Sequence, residues 1–132
     1  MIDKIDNSKE FRTRVGEKLL YIIDRCEDHE KTQIVARLFA AFIHDRITYQ
    51  DFLQASSIVE RIMLDDLRYF LKHDLDRSRV DEVGDLMNTG LFFLFLENPR
   101  DGDHKAPDTL ELRTRFSEIG GKMRAVLEDY EI

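Results

Sequence analysis

A mainly α fold with a small β element is predicted here: an antiparallel bundle of three to four helices, then a β-hairpin and a last helix (α+β). Three observations predict it. The stretch Thr48–Lys72 repeats apolar residues at spacings of three and four. The run Leu91–Leu96 breaks that period, and Leu110 to Phe116 then alternate apolar or neutral with charged residues. Only two prolines and six glycines interrupt 132 residues that are 42% apolar and 36% charged, a balance that suits a folded helical chain better than a disordered one. At this length the chain reads as a single domain, 1–132, with a helical bundle over 1–75 and a helix, hairpin and helix over 76–132.

Each element follows from local chemistry. Ser8 is placed to cap a first helix whose inner face is Phe11, Val15, Leu19, Ile22 and Cys26. The polar cluster Glu27–Glu30 separates it from a second helix, which Asp28 can cap. The stripe Ile34, Val35, Leu38, Phe39, Phe42 and Ile43 is wide enough to meet two neighbours. The short link His44–Ile47 makes the following helix antiparallel. Thr48 and Asp51 form a capping-box pattern, and Phe52, Ala55, Val59, Ile62, Met63, Leu67 and Phe70 then predict one helix. At 1.5 Å per residue its roughly 24 residues span about 36 Å. Ser78 with Asp81 predicts a fourth helix with Val80, Val83 and Met87 inward, stopped at Asn88-Thr89-Gly90. Leu91–Leu96, bounded by Gly90 and Asn98-Pro99, reads as a strand buried on both faces. After a polar loop over 98–108, the alternation to Phe116 gives a strand with one wet face. Ser117 caps a last helix with Ile119, Met123, Val126, Leu127 and Tyr130 inward.

Charge and composition narrow the function classes. The net charge of −7 opposes attraction to nucleic acid or to an anionic membrane. Residues 1–75 hold 12 basic and 14 acidic side chains and residues 76–132 hold 8 and 13, so the C-terminal part is the more acidic. The lone Cys26 excludes an internal disulfide, and its place on an apolar stripe reads as a buried, inert thiol. Met1–Phe11 has no apolar signal core, and the longest apolar runs fall far short of the ~20 residues of a membrane span. A soluble, cytoplasmic protein with no membrane partner is expected.

No motif points to an enzyme or a cofactor: there is no Gly-x-Ser-x-Gly elbow, no P-loop and no dinucleotide glycine fingerprint. The dipeptides His44-Asp45 and His73-Asp74 suggest metal phosphohydrolase chemistry, but a single rod from Thr48 to Lys72 would hold them ~40 Å apart. His29 and Glu30 come level with Asp65 and Asp66 if the second and third helices are antiparallel. They are the weak candidates for a metal, against a solvated ion-pair surface as the plainer reading. Asp101-Gly102-Asp103-His104 is too short for an EF-hand loop.

From Ser78 onward the order helix, strand, loop, strand, helix resembles the second half of a winged-helix domain. Gly90-Leu91-Phe92 follow the helix, the 98–108 loop stands as the wing, and Phe116–Met123 resembles the Thr-x-x-Gly start after a wing, with Ser117 and Gly120 in those places. The whole layout resembles bacterial and phage helical domains that end in such a hairpin. The resemblance implies a nucleic-acid-binding regulator as one reading, with Arg79, Arg113 and Arg115 as contacts. Asp81, Glu82 and Asp85 on the helix, and Asp101, Asp103 and Asp108 against Arg100 and Lys105 on the wing, oppose it, because phosphate contacts dominate affinity. The leading expectation is an interaction or regulatory protein acting through its surface on a protein partner, a second copy of itself, or both; a metal-dependent hydrolase comes third. If helices cover only one side of the first strand, Leu91, Phe93 and Phe95 face water and call for a homodimer; if they cover both, the chain is complete alone.

Overall fold

The computed structural model describes residues 9–97 and 111–130. The expectations for Ser8, for Leu110 and for the 98–108 loop with its Asp101–His104 segment, Arg100, Lys105 and Asp108 lie outside the described residues. The architecture is the predicted one, a helical bundle with a two-stranded antiparallel hairpin and a C-terminal helix.

Helix α1 (Lys9–Arg25), α2 (His29–Ile43) and α3 (Tyr49–Arg61) form the bundle. Asp28 caps α2 by accepting the Glu30 N–H at 2.8 Å. Thr48 and Asp51 close a reciprocal capping box, each side chain accepting the other's backbone N–H at 3.0 Å. Ile34, Val35, Leu38, Phe42, Phe52 and Val59 are fully buried in the core. Phe39, Phe42, Tyr49 and Phe52 pack as an aromatic cluster, with Phe11 edge-on to Tyr49.

The single long helix predicted over Thr48–Lys72 is two helices. Helix α3 ends at Arg61, Ile62 and Met63 are extended, and α4 (Leu64–Lys72) starts afresh. Charge explains the junction: Arg61 sits in the last turn of α3 and Asp65-Asp66 in the first turn of α4, each sign favourable to its helix dipole. The break turns Met63 outward, 71% exposed, although the helical spacing puts it on the buried stripe. It also redirects Phe70. That ring packs edge-on against Phe92 and Phe116 of the hairpin, at 5.5 and 5.6 Å.

The fourth helix is cut short as well. Helix α5 is Val80–Val83, followed by a 3₁₀ turn over Gly84–Asn88. Gly84 has φ +60°, a conformation that leaves the α-helix and suits a residue without Cβ. The predicted Ser78–Asp81 capping box does not form: the N-cap of α5 is Arg79, with no side-chain cap bond.

Strands β1 (Phe92–Glu97) and β2 (Glu111–Phe116) pair antiparallel, with Phe92 opposite Phe116 and Leu96 opposite Leu112. The far edge of β2 is sealed by the chain itself. The Thr114 N–H donates to Ser78 O at 2.8 Å, the Arg77 N–H donates to Thr114 O at 2.6 Å, and the Phe116 N–H reaches Asp76 Oδ1 at 3.2 Å. The buried Thr114 hydroxyl donates to Leu75 O at 2.7 Å. Thr114→Val keeps the shape but removes the shorter of the two bonds to that carbonyl, leaving only the Ser78 N–H at 3.3 Å. We expect it to cost about 1–3 kcal/mol in urea unfolding, against less than 0.5 kcal/mol for an exposed polar position.

Helix α6 (Glu118–Leu127) locks the parts together. Ser117 caps it by accepting the Gly120 N–H at 3.0 Å and donates to Gly90 O at 2.7 Å. Lys122 reaches Asp51 of the capping box at 2.8 Å. Burial alone would push the Asp51 carboxyl up; the bonds from Lys122 and from Thr48 outweigh it and hold the group below the usual carboxylate range. Arg124 donates to the carbonyls of Phe70 and His73 at the C-terminal end of α4, and its guanidinium lies over the Phe70 and Phe116 rings. A cation there satisfies orphan carbonyls and complements the helix dipole.

Candidate functional site

The hairpin is where this fold leaves chemistry unfinished. The bonds to Ser78, Arg77 and Asp76 show that Thr114 and Phe116 turn their backbone groups away from β1, so Glu111, Arg113 and Arg115 face it. Their register partners Glu97, Phe95 and Phe93 carry the ladder. Phe92, Leu94 and Leu96 therefore aim N–H and C=O at the opposite edge of β1. Among the described residues nothing takes up the edge groups of Leu94 and Leu96, and no strand pairs with the outer edge of β1.

The side chains along that edge are apolar. One face carries Phe92, Leu94 and Leu96 beside Phe116, Thr114 and Leu112. The body of the domain covers its base, where Phe92 and Thr114 are buried, and stops there: Leu94, Leu96 and Leu112 are 45%, 61% and 49% exposed. The other face carries Phe93, 46% exposed, and Phe95, over which the Arg115 guanidinium lies at 4.6 Å. The charges at the end of this face are paired within the chain: Glu97 with Arg77 and, at 3.7 Å, with Arg113, and Arg113 with Glu111 at 2.7 Å.

The strand predicted to be buried on both faces is thus half-exposed on both. Of the interface candidates, Phe93 is at the surface, Phe95 is half-buried under Arg115, and Leu91 is fully buried in the chain's own core. Leu91 falls before the strand begins, and its carbonyl accepts the Ser117 N–H. Sequence reasoning passed over Leu94, Leu96 and Leu112, and the alternation of β2 misled it, since Leu112 lies on the apolar face yet beyond the reach of the helices.

The nucleic-acid candidates are engaged within the chain. Arg79 forks onto Asp81, Arg113 holds Glu97 and Glu111, and Arg115 stacks on Phe95. The element in the place of a recognition helix is one turn of α-helix and a 3₁₀ turn.

The metal candidates are not gathered. An open cleft of about 800 Å³ between the ends of α1 and α3 and the starts of α2 and α4 is lined by Asp65 with Asp24, Arg25, Glu27, Asp28, Lys31 and Glu60, but not by His29, Glu30 or Asp66. Asp65 pairs with Arg68, Glu60 with Arg25, and His29 meets Gln33 at 3.1 Å. Among the described residues no three His, Cys, Asp or Glu are grouped to hold a metal ion. The break in the long helix removes the rod on which the ~40 Å separation of His44 and His73 rested; both histidines are exposed at helix C-terminal ends. Cys26, beside this cleft in sequence, is half-buried, and burial, then the Glu60 charge, pushes its thiol up, away from the reactive thiolate. Among the described residues no helix is long and apolar enough to cross a membrane. No protein-family model, curated protein or solved structure matches the chain.

Proposed function

We propose that this chain is a small accessory protein of the cytoplasm that works by protein–protein interaction, taking a partner strand onto the open edge of β1. The observation that supports this best is the coincidence of outward backbone groups at Leu94 and Leu96 with exposed Phe93, Leu94 and Leu96 side chains. Proteins ordinarily blunt an edge strand with lysine, proline or a bulge, and β1 has none of these between Phe92 and Leu96. An added strand gains main-chain hydrogen bonds from the edge and specificity from the alternating side chains. The reading predicts that Leu94→Lys/Leu96→Lys abolishes capture of a protein partner from the native cell. Leu20→Lys, on the exposed outer face of α1, should leave capture intact. Equal capture by both variants, read by mass spectrometry, would contradict it.

A further inference from the structure

Resting on that reading, we infer that the strand taken up by β1 is β1 of a second copy, joined antiparallel about a two-fold axis at Leu94. The register follows from which groups point outward. With Leu94 opposite Leu94 of the second copy, Phe92 falls opposite Leu96 and Phe93 opposite Phe95, each pair twice. Every paired position is apolar. The one charged residue of β1, Glu97, falls beyond the pairing and is already paired with Arg77 and Arg113. Two copies of a chain with net charge −7 repel, and within the described hairpin the charges are balanced, Arg113 and Arg115 against Glu97 and Glu111.

Shape agrees. Each hairpin is covered at Phe92 and bare at Leu96, so the antiparallel contact sets the bare half of one hairpin beside the covered half of the other. There Leu96 of the second copy adjoins Phe92, which packs on Phe70. The exposed apolar side chains alone fall short of a standard interface, so the main-chain hydrogen bonds of the edge carry much of the contact. At roughly 200 Å² for a whole large apolar side chain, Phe93, Leu94, Leu96 and Leu112 expose on the order of 400 Å² in each copy. A standard interface takes about 800 Å² per partner, of which about 500 Å² is apolar at its richest.

Light scattering across micromolar concentrations should give twice the 15.6 kDa chain mass, and Leu94→Lys should halve it while far-UV helicity stays. In a Cys26→Ser background, Leu94→Cys should oxidise to a covalent dimer, because directly opposed residues stand ~5.5 Å apart at Cα. Leu112→Cys should not, since three strand spacings across and four residues along the strands put its pair at about 20 Å. A dimer that cross-links at position 94 supports the inference even if Leu94→Lys unfolds. A strict monomer, or a dimer that fails to cross-link there, overturns it. If the chain is a monomer and Leu94→Lys/Leu96→Lys still loses a different protein partner, only the second-copy inference falls. If neither mass nor capture responds to that change, both fall.

Discussion

Phe70→Ala is expected to destabilise the domain by about 3–5 kcal/mol. The ring is fully buried and joins the helical body to the hairpin, edge-on to both Phe92 and Phe116 with the Arg124 guanidinium over its face. Removing it loses the transfer free energy of the ring, two aromatic contacts worth about 0.5–1.5 kcal/mol each and a cation–π contact, and leaves a cavity that three elements border. Against a total stability of roughly 5–15 kcal/mol this is a large fraction, and thermal unfolding should fall by on the order of 10–20 °C. An unchanged midpoint would refute the packing. Because the hairpin depends on this ring, its loss should also loosen β1 and β2 before α1–α3, visible as faster amide exchange in the strands.

Gly120→Ala is expected to cost about 2–3 kcal/mol, although alanine is the better helix former. A Cβ there would overlap the Leu91 carbonyl oxygen and stand 3.2 Å from Ser117 Oγ. The α6 N-terminus must then draw back from Leu91, straining the bonds from Ser117 N–H to Leu91 O and from the Ser117 hydroxyl to Gly90 O. The next residue is the control. A Cβ on Gly121 meets nothing within 4 Å, so Gly121→Ala should stabilise by about 0.5–1 kcal/mol through helix propensity. Unfolding curves with opposite shifts for these adjacent glycines would establish the close approach; equal shifts would refute it.

The sequence was most legible where local chemistry decides. Asp28, Thr48 with Asp51, and Ser117 cap helices as their residue types require. Periodicity failed at Ile62–Met63 because Met63 and Leu67 keep the four-residue spacing through the break, so the stripe reads on while the backbone does not, and Met63 itself is exposed. The signal lay in charge, with Arg61 closing one helix and Asp65-Asp66 opening the next. The hub role of Arg124 is invisible in sequence, since its partners Phe70 and His73 are more than fifty residues away. The candidate surface was half legible. A continuous apolar run states that β1 needs cover on both faces, but not that the described residues bury it at Phe92 and leave Leu94 and Leu96 exposed. Residue type and helix level single out the metal candidates and the winged-helix order the arginines, and none of these foresees that Asp65 pairs with Arg68 or that Arg115 stacks on Phe95.

Amide exchange along β1 tests the central claim most directly. In dilute protein shown by light scattering to be monomeric, the Phe93 and Phe95 amides should exchange slowly, because they point into the ladder, and the Leu94 and Leu96 amides quickly, because they point out of it. Raising the protein concentration should slow Leu94 and Leu96 while leaving Phe93 and Phe95 as they were. Slow exchange at Leu94 and Leu96 in the dilute monomer would mean that the edge is closed within the chain, and would contradict the account.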